Sequence, residues 1–421
     1  MDLKKVFKGK TGQIMIALLL GVIAGCLLKL GSDIKFISDI IVGGFLQFFG
    51  SGFINLIKMT VVPLVFFSLV CGISSFGDIK QLGRIGGKVI LFFMLSTAVA
   101  VAVAILFGII FHPGSGLDMS SMVQGDYTIP ESQPLVQTFL DMLPTNPIAA
   151  MAEGNMLQVI VFSVFVGLAF SLMGKKAEKL VDLFELLNDC VMKIVEMVMF
   201  FAPIGVFSLI ANTVFNVGLD SLVSIAKFVA VVAIAMLLHA FVIYGGVLKT
   251  AGLKVRPFMK SYSKVAGVTF STASSNAALP FSMESMEELG VGRSIYSFAL
   301  PLGATINMNG TAIMQGVAVV FIAQVFGIDL SIGSYLTVIL TAVLASIGTA
   351  GVPGVGMITL SMVLQSAGLP LEGIALIIGF DRILDMMRTT VNVMGDCVCS
   401  VFVAKTEKEL DMNKYNAVIE K

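Results

Sequence analysis

The sequence predicts an all-α polytopic membrane protein, and three observations carry that expectation. Apolar residues make up 57% of the 421 positions and charged ones only 13%, about half the charged share of a soluble domain. Apolar runs of roughly 20 residues, the length that crosses a bilayer as a helix, recur along the chain. Basic residues gather in alternate links between those runs, as the positive-inside rule requires. Forty-two glycines fit closely packed, broken helices. The formal net charge is zero, which gives no electrostatic footprint for nucleic acid. Cys26, Cys71, Cys190, Cys397 and Cys399 lie in or beside apolar runs without paired histidines, and they read as structural thiols.

In chain order, the run from about Gly12 to Leu30 is too long for a signal peptide and lacks a small-residue cleavage site, so it is the first span. Its Gly21-Val-Ile-Ala-Gly25 fits a close helix contact. The second span runs from about Ile40 to Ser75, with a kink expected at Pro63. The third covers Val89–Phe111. The link from His112 to Asn146 is polar and has no Lys or Arg. A less regular apolar region, Pro147–Met173, follows, then spans near Val191–Val217 and Ser221–Val247. Basic residues precede the first span (Lys4, Lys5, Lys8, Lys10), separate the second and third (Lys80, Arg84, Lys88), and follow the fourth (Lys175, Lys176, Lys179) and sixth (Lys249, Lys254, Arg256, Lys260). Both termini are therefore expected on the cytoplasmic side and the 112–146 loop outside.

Beyond Lys260 the pattern changes. The segment 261–290 gathers Thr269, Ser271, Thr272, Ser274, Ser275 and Asn276 before Leu279-Pro280, and reads as a re-entrant hairpin whose tip offers hydroxyl and N–H groups to an anion. The span Ile295–Phe326 holds Asn307-Met-Asn309-Gly-Thr311 in its middle. Two amides beside unwound backbone are oxygen ligands suited to a hard monovalent cation, with interhelical hydrogen bonding as the competing reading. A second hairpin, about 334–369, centres on Ala345-Ser-Ile-Gly-Thr349-Ala-Gly-Val-Pro353-Gly-Val-Gly356. It lacks the GK[ST] ending of a phosphate loop. Two such units in tandem suggest an inverted repeat with its site near the midplane, because non-helical backbone at that depth must line a cavity or be buried in protein.

The last span, about Ile374 to Val403, organises the rest. Asp381, Asp385, Arg388, Thr389, Asn392 and Asp396 fall within an arc of about 100° on a helix. Each charge at membrane depth costs roughly 2.5–3.5 kcal/mol on insertion scales. Such a stripe faces ions and substrate, or it neutralises itself and locks helices together. Ser96 and Thr97 are weak signals alone. His112 and His239 have no acid or nucleophile at a recognisable spacing, so nothing points to an enzyme.

Asn307-Met-Asn-Gly-Thr311, Ser346-Ile-Gly-Thr-Ala-Gly-Val-Pro-Gly354 and Asp385-Met-Met-Arg-Thr-Thr-Val-Asn-Val-Met-Gly-Asp396 together resemble the dicarboxylate/amino acid:cation symporters, the glutamate transporter family. The order of spans and hairpins also matches, over nearly the whole chain. The resemblance implies eight transmembrane helices, two re-entrant helical hairpins, inverted repeats and a homotrimer in a prokaryotic cytoplasmic membrane. It divides the chain into six helices over 1–250, the hairpins and last two helices over 251–405, and a cytoplasmic tail over 406–421. Helices 1, 2, 4 and 5 would form the scaffold. Helices 3 and 6 would join the C-terminal unit in a transport domain that moves across the membrane as an elevator, with the second hairpin as gate.

By the same resemblance, Asp385 would bind the amino group of aspartate or glutamate and Arg388 the side-chain carboxylate, a planar fork suited to that partner. Ser274, Ser275, Thr311, Gly351, Val352, Thr389 and Asn392 would complete the substrate site. One sodium ion would use Gly303, Asn307, Asn392 and Asp396; a second Thr305, Met308, Ser346, Ile347 and Thr349; a third Phe93, Ser96, Thr97, Asn307 and Asn309. No organic cofactor is implied. Three departures bear on the ion: Asn309 stands where sodium-coupled relatives usually have Asp, Phe93 stands where a Tyr is typical, and Ala273 and Met386 stand where relatives place an Arg. Arg382 is the nearby substitute. Proton coupling and C4-dicarboxylate transport are the alternatives within the family, and an anion conductance is the alternative outside transport.

Overall fold

A computed structural model describes residues 10–74, 79–117, 140, 143–217, 220–347 and 355–418. Among them every regular element is helical, and extended pairing is confined to a single Val291–Leu410 bridge. Helix α1 (Lys10–Lys29) lies along α7 (Ala202–Val217). Small residues permit this: a Cβ added at Gly21 would come within 2.9 Å of the Phe207 carbonyl, and one at Gly25 within 2.7 Å of that of Ala211. A π-helical stretch (Phe36–Leu46) runs into α2 (Gln47–Ser74). Helix α2 continues through Pro63, so the irregular winding lies at its start and not at the proline; losing one backbone hydrogen bond is tolerated in a long packed helix.

Helix α3 (Ile79–Phe111) starts earlier than the apolar run predicts, because Arg84 and Lys88 extend it to an ion pair with Glu407. Asn146 caps α4 (Pro147–Glu153) by accepting from the Ile148 and Ala149 N–H groups, with Pro147 where a missing N–H costs nothing. After α5 (Met156–Met173), the fifth predicted span is two helices, α6 (Glu178–Phe200) and α7, parted at Phe201 just before Pro203. The sixth is α8 (Asp220–Leu238), a π turn (His239–Ile243) and α9 (Tyr244–Thr250).

Both expected hairpins and the expected break in the seventh span are present. Hairpin 1 is α10 (Val255–Thr272) and α11 (Ser275–Glu288), reversed at Ala273 in left-handed backbone (φ 51°), with Ser274 capping α11. The seventh span is α12 (Arg293–Ile306) and α13 (Asn309–Val325), interrupted at Asn307 and Met308. Hairpin 2 is α14 (Ile332–Ser346) and α15 (Val355–Ser366); Thr349, Gly351 and Val352 lie outside the described residues. The last span is a short α16 (Ile374–Ile378) followed by α17 (Asp381–Thr406). The expected tail is docked on hairpin 1. The Gly292 N–H donates to Glu409 O, the Asp411 N–H to Gly290 O, and the hydroxyl of Tyr415 in α18 (Met412–Ala417) to Lys254 O.

Helix α17 occupies the centre of the C-terminal half, packed on α3, α10, α11, α12 and α13. Hairpin 2 meets the N-terminal half: Ala345, Ile358 and Met362 pack with Val61, Leu64 and Leu69 of α2 and with Val159 and Ile160 of α5. Among the described residues, five stretches are long and apolar enough to cross a membrane: Phe36–Cys71, Arg84–Phe111, Gln158–Phe200, Val223–Thr250 and Arg293–Val325. Helix α17 escapes that criterion because Asp381, Arg382, Asp385 and Arg388 crowd its start. Leu27, Phe48, Leu172 and Phe200 are exposed on the outside, as side chains facing lipid are.

Candidate functional site

The polar stripe of α17 faces inward, and all six of its members are buried. Arg388 is the largest side chain with almost no exposure (1%). Its Nη2 donates to Asp385 Oδ1 at 2.7 Å and lies 2.8 Å from Asp381 Oδ1, an ion pair outside hydrogen-bond alignment. Arg382 Nη1 stands 3.7 Å from Asp385 Oδ2. The stripe therefore neutralises part of itself. It does not satisfy itself, because Nε and Nη1 of Arg388 have no hydrogen-bond partner among the described residues. Sequence reasoning placed Asp381 on the stripe without giving it a role; here it is the second anion on Arg388. Close backbone approach sets this geometry. A Cβ on Gly310 would meet the Arg388 main chain, and one on Gly356 would stand 2.7 Å from the guanidinium carbon.

One turn and more along α17, the break between α12 and α13 supplies oxygen ligands. Asn307 Nδ2 donates to Asn392 O (2.9 Å) and Asp396 Oδ1 (2.8 Å), while Asn307 Oδ1 is buried without a partner among the described residues. Gly303, whose carbonyl takes the Asn307 N–H, leaves room for the Asp396 carboxylate against α12. No cationic side chain pairs with Asp396 among the described residues. Carbonyl, amide and carboxylate oxygens are a donor set for a hard cation. The Asn392 side chain ties the break to the stripe, accepting from the Gly310 N–H (2.7 Å) and reaching Met308 Sδ (3.3 Å).

The second predicted cation set is only partly assembled. Thr305 Oγ1 bonds Leu302 O and Ser346 Oγ bonds Val343 O, each within its own helix; Ile347 ends α14, and Thr349 lies outside the described residues. The third set is closed by its own hydrogen bonds. Asn309 donates to Ser96 Oγ (3.0 Å) and Tyr244 Oη (2.6 Å) and accepts from Thr97 Oγ1 (2.6 Å). Phe93 brings only its carbonyl, which takes Thr97 (2.8 Å) and Ser96 (3.1 Å). Tyr244 is the residue that sequence reasoning missed. Its one available signal was a lone phenol in an apolar span, which needs a hydrogen-bond partner when buried.

Of the remaining substrate candidates, Ser275, Thr311 and Thr389 are buried, Ser274 serves as a helix cap, and Gly351 and Val352 lie outside the described residues. Tyr262 of hairpin 1 donates to Thr390 O on α17, and Gln315 of α13 donates to Thr359 of hairpin 2 at 2.9 Å. At the far end of α17, the hydrogen bond from Lys88, seconded by Arg84, holds the Glu407 carboxyl below the usual glutamate range.

Comparison with known proteins agrees with this geometry. The pattern of the sodium:dicarboxylate symporter family matches residues 11–406. The chain is 42% identical over 412 residues to the proton/glutamate-aspartate symporter of Escherichia coli (strain K12), covering 96% of this chain and 94% of that protein. It is 38% identical over 413 residues to the proton/sodium-glutamate symport protein of Bacillus caldotenax, covering 96% of each. It is also 35% identical over 423 residues to the C4-dicarboxylate transport protein of Bacillus subtilis (strain 168), covering 99% of this chain and 98% of that one. With the motifs of α12, α13, hairpin 2 and α17 inside the matched range, the chain belongs to the sodium:dicarboxylate symporter family.

Proposed function

We propose that this multi-pass membrane protein is a secondary active symporter that imports L-aspartate or L-glutamate with sodium. Family membership makes it a transporter and not an enzyme. The observation that carries the substrate class is Arg388, a buried guanidinium whose Nε and Nη1 have no partner among the described residues. Donors left over at membrane depth suit a substrate carboxylate, and the neighbouring Asp385 suits an ammonium group. Asp396 supports the coupling ion: a buried carboxylate without a cationic partner costs several kcal/mol, which a bound cation offsets. Substrate and ion would then be linked through one rigid helix, with Asn392 between them on α17 contacting both Gly310 and Met308.

Elevator movement of a transport domain made of the third and sixth spans (α3, and α8 with α9) and the C-terminal unit, with hairpin 2 as gate, is the motion the resemblance implies, and the packing of α3 and α8 on α13 is in keeping with that grouping. A homotrimer with cytoplasmic termini in a prokaryotic cytoplasmic membrane follows from the resemblance and the placement of basic residues. The closed network around Asn309 supports fewer than three sodium ions per cycle.

Replacing Arg388 with Cys tests the assignment: acidic substrate uptake should disappear while the protein stays folded. Survival of uptake at wild-type affinity would refute it. The relatives support two further readings. Coupling to protons in place of sodium would leave the substrate site unchanged, and driving uptake with each gradient separately decides it. C4-dicarboxylate transport would leave Asp385 without an ammonium to bind, so strong competition by succinate against L-aspartate would favour it.

A further inference from the structure

We propose that Gly356, at the start of α15, is a positioning residue that keeps the guanidinium of Arg388 in the place from which it binds a substrate carboxylate. The inference rests on the reading of Arg388 as the carboxylate-binding residue. An ideal Cβ at Gly356 would stand 2.7 Å from both Cζ and Nη1 of Arg388 and 2.9 Å from Nη2. The flat face of the guanidinium therefore lies directly on the backbone of hairpin 2. Any side chain at 356 would have to push it away by roughly 0.7 Å to reach ordinary van der Waals contact.

A flexible arginine would absorb that shift freely, but this one is held at its main chain and at Nη2. Its main chain sits under Gly310, where a Cβ would come within 2.7 Å of the Arg388 Cα. Its Nη2 is held by Asp385 at 2.7 Å and Asp381 at 2.8 Å. The other wall cannot retreat either. Gln315 Nε2 on α13 donates to Thr359 Oγ1 at 2.9 Å, and Thr359 Oγ1 donates to Gly356 O at 3.1 Å, which pins the first turn of α15 to the buried helix α13. The guanidinium is planar and rigid, so the push falls hardest on Cζ and Nη1 and swings the group about Nη2, carrying Nε and Nη1, the donors without a hydrogen-bond partner among the described residues, out of place. A methyl at 356 would thus displace the groups that meet the substrate more than the nitrogen that holds the internal ion pairs. Acidic amino acids and C4-dicarboxylates both present the carboxylate concerned, so the effect falls on both.

The test compares wild type, Gly356→Ala, Arg388→Lys and the double variant. Gly267→Ala serves as a control, because a Cβ there on hairpin 1 meets nothing within 4 Å. L-Aspartate uptake into proteoliposomes gives half-saturation and maximal rate, and thermal unfolding gives stability independently of transport. Misplacing a binding group by a fraction of an ångström to 1 Å is expected to raise half-saturation about 10- to 100-fold. The maximal rate should stay within about two-fold of wild type, and Gly267→Ala should match wild type. Lysine has no planar head at the clash position, so the fall in thermal midpoint caused by Gly356→Ala should vanish in the Arg388→Lys background. Wild-type half-saturation in Gly356→Ala would overturn the proposal. So would an equal loss of stability in both backgrounds, which would place the effect in the helix and not in the guanidinium. If Arg388→Cys itself retains acidic uptake at wild-type affinity, the substrate assignment of Arg388 fails, and the thermal cycle still reports whether Gly356 sets the guanidinium.

Discussion

Replacing Asn309 with Asp restores the carboxylate that sodium-coupled relatives usually carry and makes a quantitative test of the ion count. Asn309 has no exposed surface. Its amide donates to Ser96 and Tyr244 and its oxygen accepts from Thr97. The three partners are hydroxyls, each able to donate to a carboxylate, although Ser96 and Tyr244 would do so by giving up their present acceptors, Phe93 O and Val391 O. What changes is the charge. An uncompensated buried anion costs about 3–5 kcal/mol, and Asp396, a second anion, lies on the other side of Asn307. In sodium-free medium the variant should unfold well below wild type. A bound cation returns stability by mass action, about 2.7 kcal/mol at a hundred times its dissociation constant. Thermal unfolding of the purified protein in choline and in sodium buffers reads both effects. The expected pattern is a lower midpoint in choline and a larger rise with sodium than wild type shows. A variant that unfolds at the wild-type midpoint in choline and gains nothing extra from sodium would refute the idea that hydrogen bonds occupy the place of an ion here.

Two further predictions concern the framework. Lys58 and Glu372 form an ion pair at 3.3 Å, bridging α2 and the segment leading into α16, with side chains 36% and 55% exposed; such a pair contributes at most about 1 kcal/mol, so Glu372→Gln should change the maximal uptake rate by about five-fold or less and leave half-saturation unchanged. Glu407 has its carboxyl held below the usual range by Lys88 and Arg84. A depressed folded-state value means that the stabilisation is complete above the ordinary glutamate pKa and is lost as pH falls through the lowered one. Thermal midpoints of wild type and Glu407→Gln should therefore differ by a constant amount at neutral pH and converge in acid; a gap that persists in acid would show that charge is not its source.

The C-terminal half was the more legible part of the chain. The break at Asn307 and Met308, the Ala273–Ser274 turn and the inward stripe of α17 follow from residue types that have few other uses at membrane depth: paired amides beside glycine, a capping serine, charges at helical spacing. What escaped depends on contacts between distant segments. Tyr244 looks like any aromatic in an apolar span until the fold brings its hydroxyl to Asn309 at the start of α13. Asp381 is marked by its charge, yet its pairing with Arg388 depends on the rotamer that Gly310 and Gly356 impose. The amphipathic entry of α6 and the extension of α3 to Ile79 were hidden because hydropathy registers the membrane core and not the charged turns beyond it. The docking of α18 on hairpin 1 rests mainly on backbone hydrogen bonds at Gly290, Gly292, Glu409 and Asp411, which side-chain patterns do not report.

The central claim is that a cation gradient drives acidic substrate uphill through the Arg388 site. Its most direct test is uptake of radiolabelled L-aspartate into proteoliposomes under an inward sodium gradient, an inward proton gradient, or neither. Accumulation above the external concentration under the sodium gradient, absent without a gradient and abolished by Arg388→Cys, is the predicted result. Accumulation under the proton gradient alone would keep the substrate site and assign the coupling to protons. Equilibration without accumulation under either gradient would contradict symport altogether.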